Sequence, residues 1–365
     1  MKEKKKTETR YVGIDLGKRT YEVAIVGQDG KAAMSNGKTF DAGRQSLYKR
    51  LRRTDIVGLE AGNMAFIMAK EIEAAVGCRV YVLNPSHLPL IYGSMKKTDK
   101  EDSLKLAHIV EYFPEERLPL VPLPSDKEIM RRKILSYYRR AQQGRTRAIN
   151  QLHGLFVSQG IPTMKRADLS TSENRMKAIK ALVGFELEEA VYLITCLEQQ
   201  EQRIAVLNRR IKEESVGDDE IQRLQSVPGV GPLTAFAFVA HVAAERFENA
   251  SQVSNYLGLV PRVYISGDTV RYGQITKRGN GYLRALLVQA SWALIWSRSG
   301  GKLKDRYEYM TIEKSICKKK SIVAIARRLA ELLYTLMKYE TEYEPKSFMS
   351  KMKGEEEIAQ LAMSA

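Results

Sequence analysis

Tyr-Val-Gly-Ile-Asp-Leu-Gly-Lys, residues 11 to 18, is a short apolar run interrupted by one acid, Asp15, and closed by Gly17. Its length and apolar content predict a buried strand, where a carboxylate is costly unless a partner or a cation neutralises it. Outward from it, the pattern recurs in Asp55-Ile-Val-Gly-Leu-Glu60-Ala-Gly, a strand that ends on Glu60 before small residues. A third apolar run, Arg79-Val-Tyr-Val-Leu-Asn84, is separated by a Pro-containing connector from Asp99 and Asp102. Tyr21 to Val26 and Ala32 to Phe40 predict two further strands, with Gly27-Gln-Asp-Gly30 as the hairpin turn between them. Helical patterns over 43–53 and 63–76 flank the strand of Glu60, and another helix is expected to begin near Thr98. Three strands followed by helix, strand, helix, strand, helix is the order of a mixed sheet with helices on its faces.

The chain has 365 residues, room for two or three domains each with its own core. Lysine and arginine number 59 against 43 acids, a formal charge of +16, which points to a polyanionic partner. Cys78, Cys196 and Cys317 are far apart and show no Cys-x-x-Cys spacing, so neither a disulfide framework nor a structural zinc site is expected, and a reducing cytoplasm is the natural compartment. The start of the chain lacks the apolar region of a secretory signal, and no stretch approaches the roughly 20 apolar residues of a membrane span.

Residues 113–125 form a Pro-rich linker that excludes helix and central strand. The domain boundary is expected there, after a tail at 1–10 and an α/β domain at 11–112. A basic helical region spans 126–217: between 126 and 147 eight Lys or Arg face two acids, among them Arg131, Arg132, Lys133, Arg139, Arg140, Arg145 and Arg147. Its second long helix, Glu186 to Glu214, carries a narrow apolar stripe that suits either a coiled-coil arm pairing protomers or a bundle core. The third domain, 218–345, is expected to be mostly α, with a tail at 346–365. It opens on Ser-Val-Pro-Gly-Val-Gly-Pro232, a helix, tight glycine turn and helix of the helix-hairpin-helix kind, or a plain helical hairpin. Trp292 and Trp296, four residues apart, are expected to pack a helix into the core, and the four scattered histidines to be structural.

Asp99 and Asp102 lie three apart, so if Thr98 caps a helix both carboxylates share nearly one face. Such a pair repels unless a cation neutralises it. Together with Asp15 and Glu60 they form a set of four carboxylates suited to one or two hard divalent ions, which would activate a nucleophile and stabilise charge at phosphorus. Ser266 lies on a short β-like stretch before glycine, bracketed by Arg262, Arg271, Lys277 and Arg278. Those are the needs of a phosphate-attacking hydroxyl, although Ser-Gly is also a common turn pair and the cations could simply grip backbone phosphates.

These residues resemble the DEDD insertion-sequence transposases related to the Piv-type DNA invertases, several of which use a bridging guide RNA. The likeness rests on Gly-Ile-Asp15, Glu60-Ala-Gly, Lys-Thr-Asp99-Lys-Glu-Asp102, Pro-Gly-Val-Gly-Pro, and Leu-Gly-Leu-Val-Pro with Ser266-Gly and Gly-Gln-Ile-Thr-Lys-Arg-Gly-Asn280 after it. It implies an RNase H-like (RuvC-like) α/β domain at 11–112, with Asp15, Glu60, Asp99 and Asp102 binding Mg²⁺ or Mn²⁺, then a coiled-coil region and a C-terminal transposase domain whose nucleophile is Ser266. It also implies DNA (donor and target) and a guide RNA as partners, the RNA on the basic helix after Asp126. A homodimer assembling to a tetramer, in a bacterial or archaeal cytoplasm at the nucleoid, completes the expectation. Two alternatives stand beside it: a RuvC-like nuclease using metal-activated water, and a non-catalytic nucleic-acid-binding scaffold.

Overall fold

The computed structural model describes residues 9–62, 64–85, 88, 99–161, 165–266 and 269–345. Thr98, the expected helix cap, and His87 lie outside the described residues. The chain divides into two compact units at Ser125 and Asp126.

In the first unit, strands β1 (Tyr11–Leu16), β2 (Thr20–Val26), β3 (Ala32–Lys38), β4 (Ile56–Glu60) and β5 (Arg79–Leu83) form one sheet in the order β3-β2-β1-β4-β5. The first three are antiparallel neighbours, whereas β4 and β5 continue the sheet parallel to β1. Strand alternation sorts the side chains. Val12, Ile14, Val23, Val57 and Leu59 join Leu47 of α1 (Asp41–Tyr48) and Met68 and Ile72 of α2 (Ala65–Val76) in one core. The opposite face meets α3 (Asp99–Tyr112) through Leu106, Ala107 and Val110. A five-stranded mixed sheet covered by helices on both faces is compatible with an RNase H-like DEDD domain.

Two glycines set how closely α3 approaches. A Cβ on Gly13 would lie 1.9 Å from the Ser103 carbonyl oxygen and 2.4 Å from the Ala107 nitrogen. On the neighbouring strand, a Cβ on Gly58 would meet Val110 at 2.9 Å and the Leu106 carbonyl at 3.1 Å. The α3 backbone, together with the Val110 side chain, therefore occupies the space that side chains on β1 and β4 would fill. Gly13 and Gly58 are register partners, so this contact sits one step short of Asp15 and Glu60.

The Pro-rich linker is more ordered than its composition suggests. Val121 N–H donates to the Val82 carbonyl at 2.7 Å and Asn84 N–H to that of Pro119 at 2.8 Å, with an antiparallel bridge between Leu83 and Leu120. It lies along the outer edge of β5, where prolines are tolerated because few of its N–H groups need partners.

Among the described residues the second unit is helical apart from one hairpin. Helices α4 (Asp126–Ser158) and α6 (Gly184–Val216) run antiparallel, as shown by Gln159 to Glu186 at 3.1 Å and Arg145 to Glu201 at 3.0 Å. The short α5 (Ser172–Ala178) lies between them in sequence and contributes Arg175, fully buried and bonded to Glu201 at 2.6 and 2.9 Å. The narrow stripe of α6 thus has a partner within the chain: Ile194, Leu197 and Ile211 are buried, whereas Val191 is exposed. After α7 (Asp219–Gln225) comes the tight turn, with Gly229 at φ 84°, then α8 (Pro232–His241), α9 (Ala250–Tyr256), the β6 (Pro261–Ser266) and β7 (Thr269–Ile275) hairpin, α10 (Gly281–Trp296), α11 (Gly301–Glu308) and α12 (Lys318–Lys338). A Cβ on Gly229 would strike the Ala290 carbonyl at 2.5 Å, so this turn packs directly on α10. Phe236, Phe238, Leu287, Leu294, Leu329 and Leu333 fill the core around it. The tryptophan expectation needs correction: Trp292 packs at the core margin, but Trp296 is 76% exposed, because the core side of α10 is already filled by Leu287, Ala290, Leu294 and Ile295.

Candidate active site

Register places the carboxylates. Gly13 pairs with Gly58 and Ile14 with Leu59, so Asp15 and Glu60 extend from adjacent parallel strands on the face that carries α3. Asp99 and Asp102 stand in the first turn of α3, which Gly13 and Gly58 draw onto that face. Burial pushes the Asp15 carboxyl up to about 6, and the charges of Asp99, Asp102 and Glu60 push in the same direction. Three distant stretches of sequence thus bring four acids into one electrostatic neighbourhood.

Asp102 is held by Lys105, whose Nζ donates to Oδ1 at 2.8 Å. Asp99 is exposed, while Asp15, Glu60 and Asp102 are half-buried. Among the described residues no three His, Cys, Asp or Glu side chains converge tightly enough to hold an ion as they stand. The raised Asp15 carboxyl reflects its burial first and the like charges around it second. The donor set is all carboxylate, the chemistry of a hard divalent cation, so the residues fit Mg²⁺ or Mn²⁺.

One acid escaped the sequence reading. Glu22 on β2 is the cross-strand partner of Asp15 and lies on the same face; its Oε2 is buried and finds no hydrogen-bond partner among the described residues. The available signal was the β1–β2 hairpin register, which pairs position 15 with 22 once the tight turn is fixed at 17–20.

Ser266 is the last residue of β6, exposed, and paired with Thr269. Tyr264 and Arg271 are direct partners two residues along, so Ser266, Tyr264 and Arg271 share one face of the hairpin. Arg262, Lys277 and Arg278 are also exposed, and Lys277 takes a φ of 56°, its N–H bonded to the Gly258 carbonyl at 3.1 Å.

The basic residues of α4 divide into two groups. Arg131 is buried, bonded to Asp218 and stacked 5.6 Å from the Phe236 ring centroid, which leaves it no face for a phosphate. Arg132 donates to the Ala240 carbonyl at 2.7 Å and to Glu128 at 3.2 Å, and Arg145 is held by Glu201. These three tie helices together. Lys133, Arg139, Arg140 and Arg147 are exposed. Among the histidines, His108 bonds Glu111 at 2.8 Å, and His241 accepts from the Asn280 amide at 2.8 Å. Burial holds His241 down at about 4, with Arg132 adding to that, so it is neutral at pH 7.

Comparison with known proteins agrees with this layout. The DEDD transposase model of the IS110 group, described as "Transposase", matches residues 12–159, and "Transposase IS116/IS110/IS902 family" matches 221–308. The chain is 28% identical to the "Probable family 20 transposase" of Pseudomonas aeruginosa over 92% of its length and 98% of the relative's. It is 25% identical to the "Transposase for insertion sequence element IS1111A" of Coxiella burnetii, covering 73% and 74% of the two chains. With the "Transposase for insertion sequence element IS1328" of Yersinia enterocolitica it shares 27% identity over 77% and 82%. The first family match spans the carboxylate unit and the second stops short of α12, so both units carry the likeness, and the chain belongs to the DEDD insertion-sequence transposases, a family of DNA transposases.

Proposed function

We propose that this transposase cuts and exchanges DNA strands with Ser266 as nucleophile and Asp15, Glu60, Asp99 and Asp102 as the ligands of Mg²⁺ or Mn²⁺. The observation that carries the proposal is geometric: Asp15 and Glu60 end adjacent parallel strands on the face that carries α3, whose first turn holds Asp99 and Asp102, and burial together with those three charges raises the Asp15 carboxyl to about 6. When bound, the metal supplies Lewis-acid stabilisation of charge at phosphorus. Ser266 Oγ loses its proton as it bonds to phosphorus, the adjacent P–O bond to deoxyribose breaks, and the departing DNA oxygen takes up a proton to become a hydroxyl, so that the step leaves the proton count unchanged. The Ser266–phosphate ester conserves the energy of the broken bond for rejoining. Arg271, on the same hairpin face, is suited to hold the phosphoryl oxygens. A guide RNA, with the exposed cations of α4 on its phosphates, belongs to the same proposal, as does a dimer assembling to a tetramer.

The alternative, attack by metal-activated water, separates cleanly from this one. On a denaturing gel, a reaction stopped midway should show DNA covalently joined to protein; Ser266→Ala should abolish the adduct, and Asp102→Asn should lower it by at least about a hundredfold. Free cut ends from the Ser266→Ala variant would assign the cleavage to water.

A further inference from the structure

Down α4, Arg139, Gln142, Gln143, Thr146, Arg147 and Asn150 recur at steps that alternate three and one, which places them on a single stripe. Gln151 extends it, to a length of about 18 Å. The other side of the helix is spoken for, since Tyr138, Ala141, Ala148 and Leu152 are buried. The stripe floors a groove of about 640 Å³, and Tyr282 from the start of α10 walls it.

Its chemistry is unlike that of an ordinary solvated helix face, which mixes lysines with acids. Among the described residues, no acid and no lysine lines this groove. Apart from two arginines, the stripe consists of amides and one threonine, side chains that both donate and accept. Part of the groove is ordered in advance. The Arg139 guanidinium lies 5.6 Å from the Tyr282 ring centroid, and Tyr282 Oη donates to Gln142 Oε1 at 3.2 Å. Gly144 faces away, where an added Cβ would come within 3.0 Å of Gln200, so α6 sits close behind and fixes how the stripe is turned.

We propose that this groove holds an unpaired polynucleotide strand. Arg139 and Arg147 take phosphates at its rim, the amides meet base edges, and the Arg139–Tyr282 stack offers a flat surface to a base. The wall that Tyr282 makes beside the stripe favours a single strand over a duplex, because a helix that enters a duplex groove must project beyond its neighbours. Only an unpaired strand offers its Watson–Crick edges to the amides, and the stripe matches roughly five nucleotides at the stacked spacing of 3.4 Å. The inference rests on the nucleic-acid reading of the chain for its partner class and not on the cleavage chemistry.

The test is fluorescence anisotropy of full-length protein, in EDTA, with labelled 15-nucleotide RNA and DNA of one mixed sequence, each unpaired and as duplex. Gln143→Ala with Asn150→Ala should weaken unpaired binding by about tenfold while leaving the salt dependence unchanged. Arg147→Gln should instead reduce the slope of log K against log salt by about one. The three positions are exposed, so melting temperatures should match the parent, and Tyr282→Phe offers a near-isosteric check that removes only the bond to Gln142. A loss confined to unpaired RNA or to unpaired DNA supports the inference and says which strand the groove takes. Unchanged affinity in the amide variant, or an equal loss on duplex, overturns it. Since binding is read without metal, neither outcome depends on whether Ser266 is the nucleophile.

Discussion

At Asp15 the protein tolerates an unfavourable residue for the sake of its site. The carboxyl is half-buried among like charges, and replacing it with a neutral isostere removes both penalties at once. Asp15→Asn should therefore raise the melting temperature of the metal-free protein at pH 8, by about 4–8 °C for each kcal/mol of repulsion relieved. The same variant should lose the stabilisation that Mg²⁺ gives the parent, read by calorimetry with and without the ion. Asp15 and Glu60 were legible because each breaks an apolar run, a local signal. Arg131 was not: among eight basic residues nothing local marks it as buried, since its partner Asp218 lies 87 residues away. Trp296 misled for a related reason, as aromatic spacing on one helix does not tell which side the core lies on.

Among the elements, α3 is the one whose position decides whether the carboxylates meet. Its approach depends on Gly13 and Gly58 having no side chains, and at Gly13 the obstructing atoms are all backbone, which cannot rotate away. Gly13→Ala should destabilise the fold by about 3 kcal/mol, the upper end for an overpacked core, measured by urea unfolding. Strand cleavage should fall further than stability does, because a helix pushed outward carries Asp99 and Asp102 with it. The strands themselves followed from alternation and turn residues, with bounds that differ by one or two positions. What alternation could not supply was the face on which α3 lies, since that depends on a register match between two glycines on different strands. The α6 stripe was legible as a narrow seam, and it is narrow because α4 covers one side of it and Val191 is left exposed.

For the whole molecule, the two units should respond to acid in opposite directions. In the second, His241 is neutral in the fold at about 4 against an ordinary 6.5, so the unfolded chain binds the extra proton as pH falls between those values. That drains roughly 3 kcal/mol between pH 6.5 and 4. Asp218 follows below: its bonds to Lys127 and Arg131 overcome its burial and hold it at about 2, and that contribution is lost as pH drops from near 4 toward 2. In the first unit Asp15 titrates near 6 in the fold but near 3.8 unfolded, so without metal that unit gains stability as pH falls from 6 to 4. Melts followed at pH 7, 5.5 and 4.5 in EDTA should resolve two transitions that shift in opposite senses; a parallel shift of both would refute the assignment. The positive charge of the chain, legible from composition, says nothing of this, because it sums over groups whose surroundings differ.

The strand-like course of the linker beside β5 reaches beyond the linker. A chain cut at Tyr112 would strip the sheet of its last neighbour and leave the N–H of Asn84 and the carbonyl of Val82 facing water along an apolar margin. Bare margins of that kind recruit other chains. The shorter fragment should therefore sediment as aggregates while one ending at Ser125 stays monodisperse, so thirteen residues that look like a tether act as the selvedge that keeps the sheet from fraying into its neighbours.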